Sequence, residues 1–181
     1  MKVLLHACCA PCASACIPRL KEAGHSVAML FANSNIDTPE EFEKRRAEAE
    51  RLAAVDGVDF ASLPYDHEDW LANVAAGYED EPEKGRRCER CFRYNLAKAA
   101  AFAAERGYDA FTTSLTVSPH KPSAVVMAAG RTAAGSANSP SFAEFDFKKK
   151  DGFKLSVKRA AELGLYRQNY CGCEFSKRNR K

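Results

Sequence analysis

Apolar runs alternate with amphipathic stretches along most of this chain, and the alternation predicts its elements. Lys2 to Ala7 reads as a short buried strand, and Pro11 then opens a helix that runs to about Ala23 and stops at Gly24. His25 to Ala32 is a second strand-type run. Thr38-Pro39-Glu40-Glu41 carries a cap, a first-turn proline and a capping-box glutamate, so a helix follows to about Val55. Val58 to Leu63 reads as a third strand and Asp66 to Ala76 as a short helix with the only tryptophan, Trp70. After a polar break from Tyr78 to Gly85, an alanine-rich helix spans about Cys88 to Arg106 and closes at Gly107. Asp109 to Leu115 is a fourth strand, Pro122 to Ala134 a helix, Gly135 to Ser141 a loop, and Ser156 to Leu163 a last helix. Strands alternating with helices predict an α/β fold, a parallel sheet with helices on both faces.

The 181 residues suit one core, and no linker or repeat divides them, so residues 1–181 are expected to form a single α/β domain. No apolar run approaches the roughly 20 residues that span a bilayer. The start to Cys8 superficially suggests a lipoprotein site, but its apolar stretch is too short and His6 interrupts it. The expected location is cytoplasmic, where cysteine pairs read as metal or catalytic groups before disulfides.

Cysteine placement changes the picture most. Cys8, Cys9, Cys12 and Cys16 form one group, Cys88 and Cys91 a second, Cys171 and Cys173 a third. The first group falls where a strand gives way to a helix, the edge at which α/β sheets bind ligands and where a helix N-terminus favours thiolate. Cys9-Ala10-Pro11-Cys12 has the C-x-x-C form of a thiol–disulfide oxidoreductase, whereas Cys12 and Cys16 also read as small buried hydrophobes. Cys88-Glu89-Arg90-Cys91 is a metal half-site at a helix start; joined to Cys8 and Cys9 it completes four thiolates, for an iron–sulfur cluster or for zinc. Cys171-Gly172-Cys173 reads as a redox-active dithiol, or as further metal ligands.

Charge adds a direction. The net charge is only +3, yet Lys148 to Lys181 holds eleven basic against three acidic residues, ending in a basic tail from about residue 176 to 181. Arg86, Arg87, Arg90 and Arg93 surround the middle cysteines. Such clusters suit a phosphate-bearing partner, or form a solvated face.

Five blocks carry a resemblance. They are Leu4 to Cys12, Glu81 to Phe92, Phe111 to Lys121, Asp146 to Gly152 and Tyr166 to Ser176. In order and in residues they resemble the epoxyqueuosine reductases of the QueH family. The resemblance implies a Rossmann-like fold related to the ATP-pyrophosphatase (HUP) domains, with cysteines in place of the phosphate loop. It implies reduction of epoxyqueuosine to queuosine in the tRNA anticodon, the last step of queuosine biosynthesis. By position, Cys8, Cys9, Cys88 and Cys91 would ligate a 4Fe–4S cluster, Cys171 and Cys173 would be the redox pair, and Cys12 with Asp146 would hold an additional iron ion. His6, His120 and Tyr170 are the candidate proton donors, although His6 reads equally as a satisfied core histidine and Tyr170 as a packing residue. Arg86, Arg87 and Arg167 would hold anticodon phosphates, and an electron donor of unspecified identity is required. Two segments depart from the family pattern: Asn33-Ser34-Asn35, usually Asn-Pro-Asn, and Asn95-Leu96, usually Arg-Leu. A metal-free oxidoreductase built on Cys9 and Cys12, and a zinc-stabilised RNA-binding module, are the competing readings.

Overall fold

Five parallel strands pair in the order β3-β2-β1-β4-β5. They are β1 (Lys2–Ala7), β2 (Ser26–Phe31), β3 (Asp59–Ser62), β4 (Ala110–Thr113) and β5 (Ser141–Phe142). This is a computed structural model, and it describes residues 1–135 and 139–178. The helices are α1 (Ala10–Glu22), α2 (Pro39–Asp56), α3 (His67–Trp70), α4 (Arg86–Glu105), α5 (Ser123–Ala134), α6 (Gly152–Glu162) and α7 (Glu174–Arg178).

The two-residue period of a strand explains the layers. Leu5 and Ala7 of β1, with Val27, Met29 and Phe31 of β2, pack against Ile17 and Leu20 of α1, Phe42 and Leu52 of α2 and Ala160 of α6. The alternate residues Leu4, Ala28 and Leu30 pack with Phe111 against Ala99 and Ala103 of α4. Burial on both faces is why these strands read as continuous apolar runs. Helices therefore cover both faces, as the sequence predicts, and among the described residues no helix is long and apolar enough to cross a membrane.

Thr38 caps α2 as expected, its hydroxyl accepting the Glu41 amide at 3.2 Å, and Gly57 ends the helix in the left-handed region at φ 58°. Elsewhere the ends differ from expectation. α4 starts at Arg86 rather than Cys88, because the Glu81 carboxylate accepts the Arg86 amide at 3.0 Å and starts the helix early. α6 starts at Gly152 rather than near Ser156. β5 occupies the end of the expected loop; it pairs through Ala143 N–H to the Phe111 carbonyl, and two residues are too few to show alternation. Ser136 to Asn138 of that loop lie outside the described residues. Ser176 and Lys177, expected in the basic tail, belong to α7; Ser176 is buried and Lys177 pairs with Asp37 at 2.6 Å. Asn179 to Lys181 lie outside the described residues.

β1 leads through α1 to β2 on one side, while α4 returns the chain to β4 on the other. The crevice between the carboxyl ends of β1 and β4 is thus the topological switch point, where open α/β sheets bind their ligands.

Helix propensity and packing oppose each other at Gly130 in α5. An alanine in a helix interior gains about 1 kcal/mol over glycine, but a Cβ at Gly130 would sit inside the Phe142 ring. Overpacking of this kind costs about 1–3 kcal/mol. Gly130→Ala is therefore expected to lower unfolding free energy in urea by up to about 2 kcal/mol; a gain would show that Phe142 swings aside freely.

A candidate metal centre at the carboxyl edge of the sheet

The first wall of the crevice is the turn from β1 into α1. Cys9 precedes the helix in extended backbone, and Pro11 suits the first turn because its missing N–H would have no helical partner. The tight turn brings the sulfurs of Cys8, Cys9 and Cys12 within 4.8 Å of one another, with Cys8 and Cys9 at 3.9 Å. Thiolates about 2.3 Å from one tetrahedral ion lie roughly 3.8 Å apart, so the triad is close to single-ion geometry. Ser114, in the turn after β4, fixes Cys8 twice: its hydroxyl accepts the Cys8 amide at 3.0 Å and donates to Cys8 Sγ at 3.3 Å. Hydrogen bonds from Cys12 and Cys8 hold the Cys9 thiol well below its ordinary value, aided by the Gln168 amide. Cys12 is pushed well above it by those same sulfurs and by burial. Cys9 is the first of the three to become thiolate.

The second wall is the start of α4 together with the loop before α7. Cys88, Cys91, Cys171 and Cys173 line a cavity of about 30 Å³. It opens into a cleft of about 200 Å³ that contains the first wall and shares Cys91, Cys171, His120 and Lys121. Three of these sulfurs meet a donor. The Lys84 amide points at Cys88 Sγ at 3.3 Å, Asn95 Nδ2 at Cys91 Sγ at 3.5 Å, and Lys121 Nζ at Cys171 Sγ at 3.5 Å. The buried indole N–H of Trp70, without a partner at ordinary distance, lies beside Cys91 and favours its thiolate. Burial pushes Cys88 and Cys91 up, and Cys173 to about 11. Lys121 is half-buried; burial disfavours its charge, but Cys171, Cys8, Cys12 and Cys9 outweigh that and raise its pKa.

Cys16 marks the contrast. It is fully buried under α1 and donates its S–H to the Cys12 carbonyl at 3.3 Å, as a core thiol does. The other seven cysteines line the two connected cavities, and all eight are free thiols.

One buried arginine holds the second wall in place. Arg45 of α2, 2% exposed, pairs with Glu41 at 2.7 Å and donates to the Cys171 carbonyl at 3.0 Å and the Tyr170 carbonyl at 3.4 Å. Gly172 sits at φ 134°, and a Cβ there would press on Asn35 Nδ2 at 2.9 Å and Arg45 at 3.2 Å. Only glycine fits between these cysteines.

The other expected site residues fall in different surroundings. His6 is fully buried in β1, with Nδ1 at 2.9 Å from Thr113 Oγ1 and Nε2 at 3.0 Å from the Ala32 carbonyl; burial lowers its pKa to about 4. It braces the sheet and does not line the cleft. The Tyr170 ring lines the cleft, but its hydroxyl donates to Asp37 at 2.8 Å, and burial with that bond raises its pKa to about 12. Asp146 accepts from Ser123 at 3.0 Å and from the Lys148 amide at 3.3 Å, so it anchors a turn and lies outside the thiol triad, which Cys12 does join. Arg87 is buried and donates to the carbonyls of Tyr78, Glu79 and Glu81 at 2.8, 3.2 and 2.7 Å, while the exposed Arg86 pairs with Glu81. Of the three arginines Arg167 lines the cleft and Arg87 the smaller cavity beside it. The set Cys8, Cys9, Cys88 and Cys91 is divided between the walls, the first pair grouped with Cys12 and the second with Cys171 and Cys173.

The two departing segments meet each other. Asn95 accepts the Ser34 amide at 3.2 Å and donates to Asn35 Oδ1 at 3.1 Å, so a residue with a backbone N–H at position 34 completes the buried network. Ser114, Lys121, Trp70 and Gln168 were not read as site residues from the sequence. Ser114 and Lys121 fall inside one of the five resembling blocks, the only signal that marks them.

The fold is similar to that of a predicted subunit of a tRNA methyltransferase from Methanocaldococcus jannaschii. The TM-score is 0.54 at 13% identity, over 90% of this chain and 76% of that one. Sequence relatives are closer. Epoxyqueuosine reductase QueH of Histophilus somni is 34% identical over 178 residues, covering 98% of this chain and 73% of that protein. The Thermotoga maritima protein of the same name is 34% identical over 177 residues, 96% and 89% of the two chains. That from Dehalococcoides mccartyi is 32% identical over 180 residues, 99% and 94%. The model of the family described as epoxyqueuosine reductase QueH matches residues 3–179, and the chain belongs to that family.

Proposed function

We propose that this chain reduces epoxyqueuosine to queuosine in tRNA, with an iron–sulfur cluster held in the cysteine cleft. One observation carries the reading: N–H and O–H donors are aimed at the sulfurs of Cys8, Cys88, Cys91 and Cys171, whereas Cys16 donates its own proton. Donors aimed at sulfur stabilise the charged form and are what a metal-bound thiolate requires. The donor set fits a soft metal: seven thiols, a triad at near-ligand spacing and an orphaned indole N–H beside Cys91. A simple dithiol oxidoreductase at Cys9 and Cys12 would leave the donors on the opposite wall without a role.

Cys8, Cys9, Cys88 and Cys91 would hold the cluster, with Cys12 beside them for an additional iron. When bound, such a group supplies single electrons and Lewis acidity. Converting the epoxide to the alkene consumes two electrons and two protons and releases water. Cys171 and Cys173 are free thiols on the wall next to the cleft and would pass two electrons by closing to a disulfide, each losing a proton. Lys121 donates to Cys171 Sγ at 3.5 Å and remains charged inside the cleft. His120, exposed at the rim with its ring unengaged, replaces His6 and Tyr170 as the proton donor. Arg167 at the mouth would meet an anticodon phosphate. A separate electron donor would regenerate the dithiol.

Anaerobically purified protein is expected to contain iron and acid-labile sulfide, about five irons to four sulfides with the additional ion bound, with broad visible absorption, and to convert epoxyqueuosine-tRNA to queuosine-tRNA. Cys9→Ser or Cys88→Ser should lose the absorption and the activity, while Cys16→Ala keeps both; stoichiometric zinc without sulfide overturns the cluster. Hydrogen bonds to charged groups contribute about 1.5–3 kcal/mol. Lys121→Met is therefore expected to slow turnover, and alkylation of Cys171 by iodoacetamide, about 10- to 100-fold, with Lys121→Arg between it and wild type. Unchanged alkylation in Lys121→Met would remove Lys121 from this role.

A further inference from the structure

Phe153, in the first turn of α6, is 41% exposed and lines the cleft at its open side, whereas Phe147, just before the preceding turn, is fully buried. It is the only exposed phenylalanine among the described residues. An exposed aromatic at a cleft mouth loses hydrophobic stabilisation unless something covers it.

The segment that presents it is over-determined. Lys150 and Asp151 are consecutive left-handed residues at φ 53° and 56°, a conformation that costs non-glycine residues energy and persists only where surrounding contacts impose it. Those contacts are present. Arg19 Nη1 donates to the carbonyls of Phe147 at 2.9 Å and Lys149 at 3.1 Å, and Lys148 Nζ donates to the Lys121 carbonyl at 2.8 Å. Asp146 receives Ser123 and the Lys148 amide, and a Cβ at Gly152 would collide with the Phe147 carbonyl. The turn therefore holds its shape, and its side chains are presented from a fixed frame.

Those side chains are basic. From Lys148 to Lys158 there are five lysines and one acidic residue. Lys149, Lys150 and Lys154 are exposed and form no ion pair among the described residues, and Arg167 stands at the same mouth. An aromatic face beside unpaired cations is the combination that binds single-stranded nucleic acid: bases stack on the ring, and lysines track the phosphates.

We propose that Phe153 is a stacking platform for an unpaired nucleobase of the anticodon loop, with Lys149, Lys150 and Lys154 holding the flanking phosphates. This rests on the tRNA reading above and adds a binding residue and a basic turn outside the thiol walls. The platform keeps the loop open at the mouth while the modified base enters the cleft.

Anisotropy titrations on anaerobically purified full-length protein test it, using a labelled anticodon stem-loop RNA and a fully paired RNA duplex of equal length. Stacking contributes about 1–3 kcal/mol per base, so Phe153→Ala is expected to weaken stem-loop binding roughly tenfold, leave duplex binding and the salt slope unchanged, and retain wild-type iron content. Phe153→Trp should restore the affinity. Lys149→Ala with Lys150→Ala should weaken both RNAs and flatten the salt dependence, by about 0.7 in slope per lost contact on single strands. Stem-loop binding by Phe153→Ala at wild-type strength overturns the platform and leaves the tRNA reading standing. A wild-type chain that binds neither RNA overturns that reading itself.

Discussion

Burial of the sheet on both faces is the constraint on which everything else depends. Parallel strands covered by helices have no room for reactive polar groups along their length, so chemistry is confined to the edge where all the strands end. His6 shows how strictly this is enforced. It lies two residues before Cys8, yet because it is inside β1 it is neutral, fully buried and bonded at both nitrogens. Cys8 is beyond the strand and meets Ser114, donors and the cleft. Two residues separate the brace from the candidate ligand.

That boundary also explains which features could be read from residues alone. The strand runs, the Thr38 cap and the glycine stops are local, so apolar period and cap chemistry were enough to locate the elements. The cysteine groups announced a site because thiols rarely cluster without a use. Their partition was not local: the grouping of Cys88 and Cys91 with Cys171 and Cys173 depends on Arg45 and on the fit of Gly172, which no spacing reveals. Arg87, Asp146 and Tyr170 share a feature that spacing does not show, a bond to a neighbouring protein group. A polar residue inside a functional motif can serve the backbone that shapes the site, and only the bonds show which it does.

Charge in the cleft is balanced from several sides. Lys121 is the cation that donates to a thiol sulfur, Lys84, Arg87 and Arg167 line the same cavities, and the neutral donors Ser114, Asn95 and Trp70 add no net charge. A set of dipoles steadies several thiolates at once, whereas more cations would repel one another in so small a volume. The basic residues that meet phosphate belong outside, at the mouth.

The Arg45 clamp has a further consequence for how the protein is made. Its guanidinium sits in the second helix, but two of the carbonyls it needs come 125 and 126 residues later. Contacts that distant form late, because the loop-closure entropy must be overcome first. During synthesis the trithiol wall emerges well before its counterpart, since Cys171 and Cys173 follow Cys12 far along the sequence. Arg45 meanwhile has only Glu41 for company. Closure of the cleft is therefore a late event of folding, and a cofactor that needs both walls can be inserted only after Cys171 and Cys173 have joined Arg45.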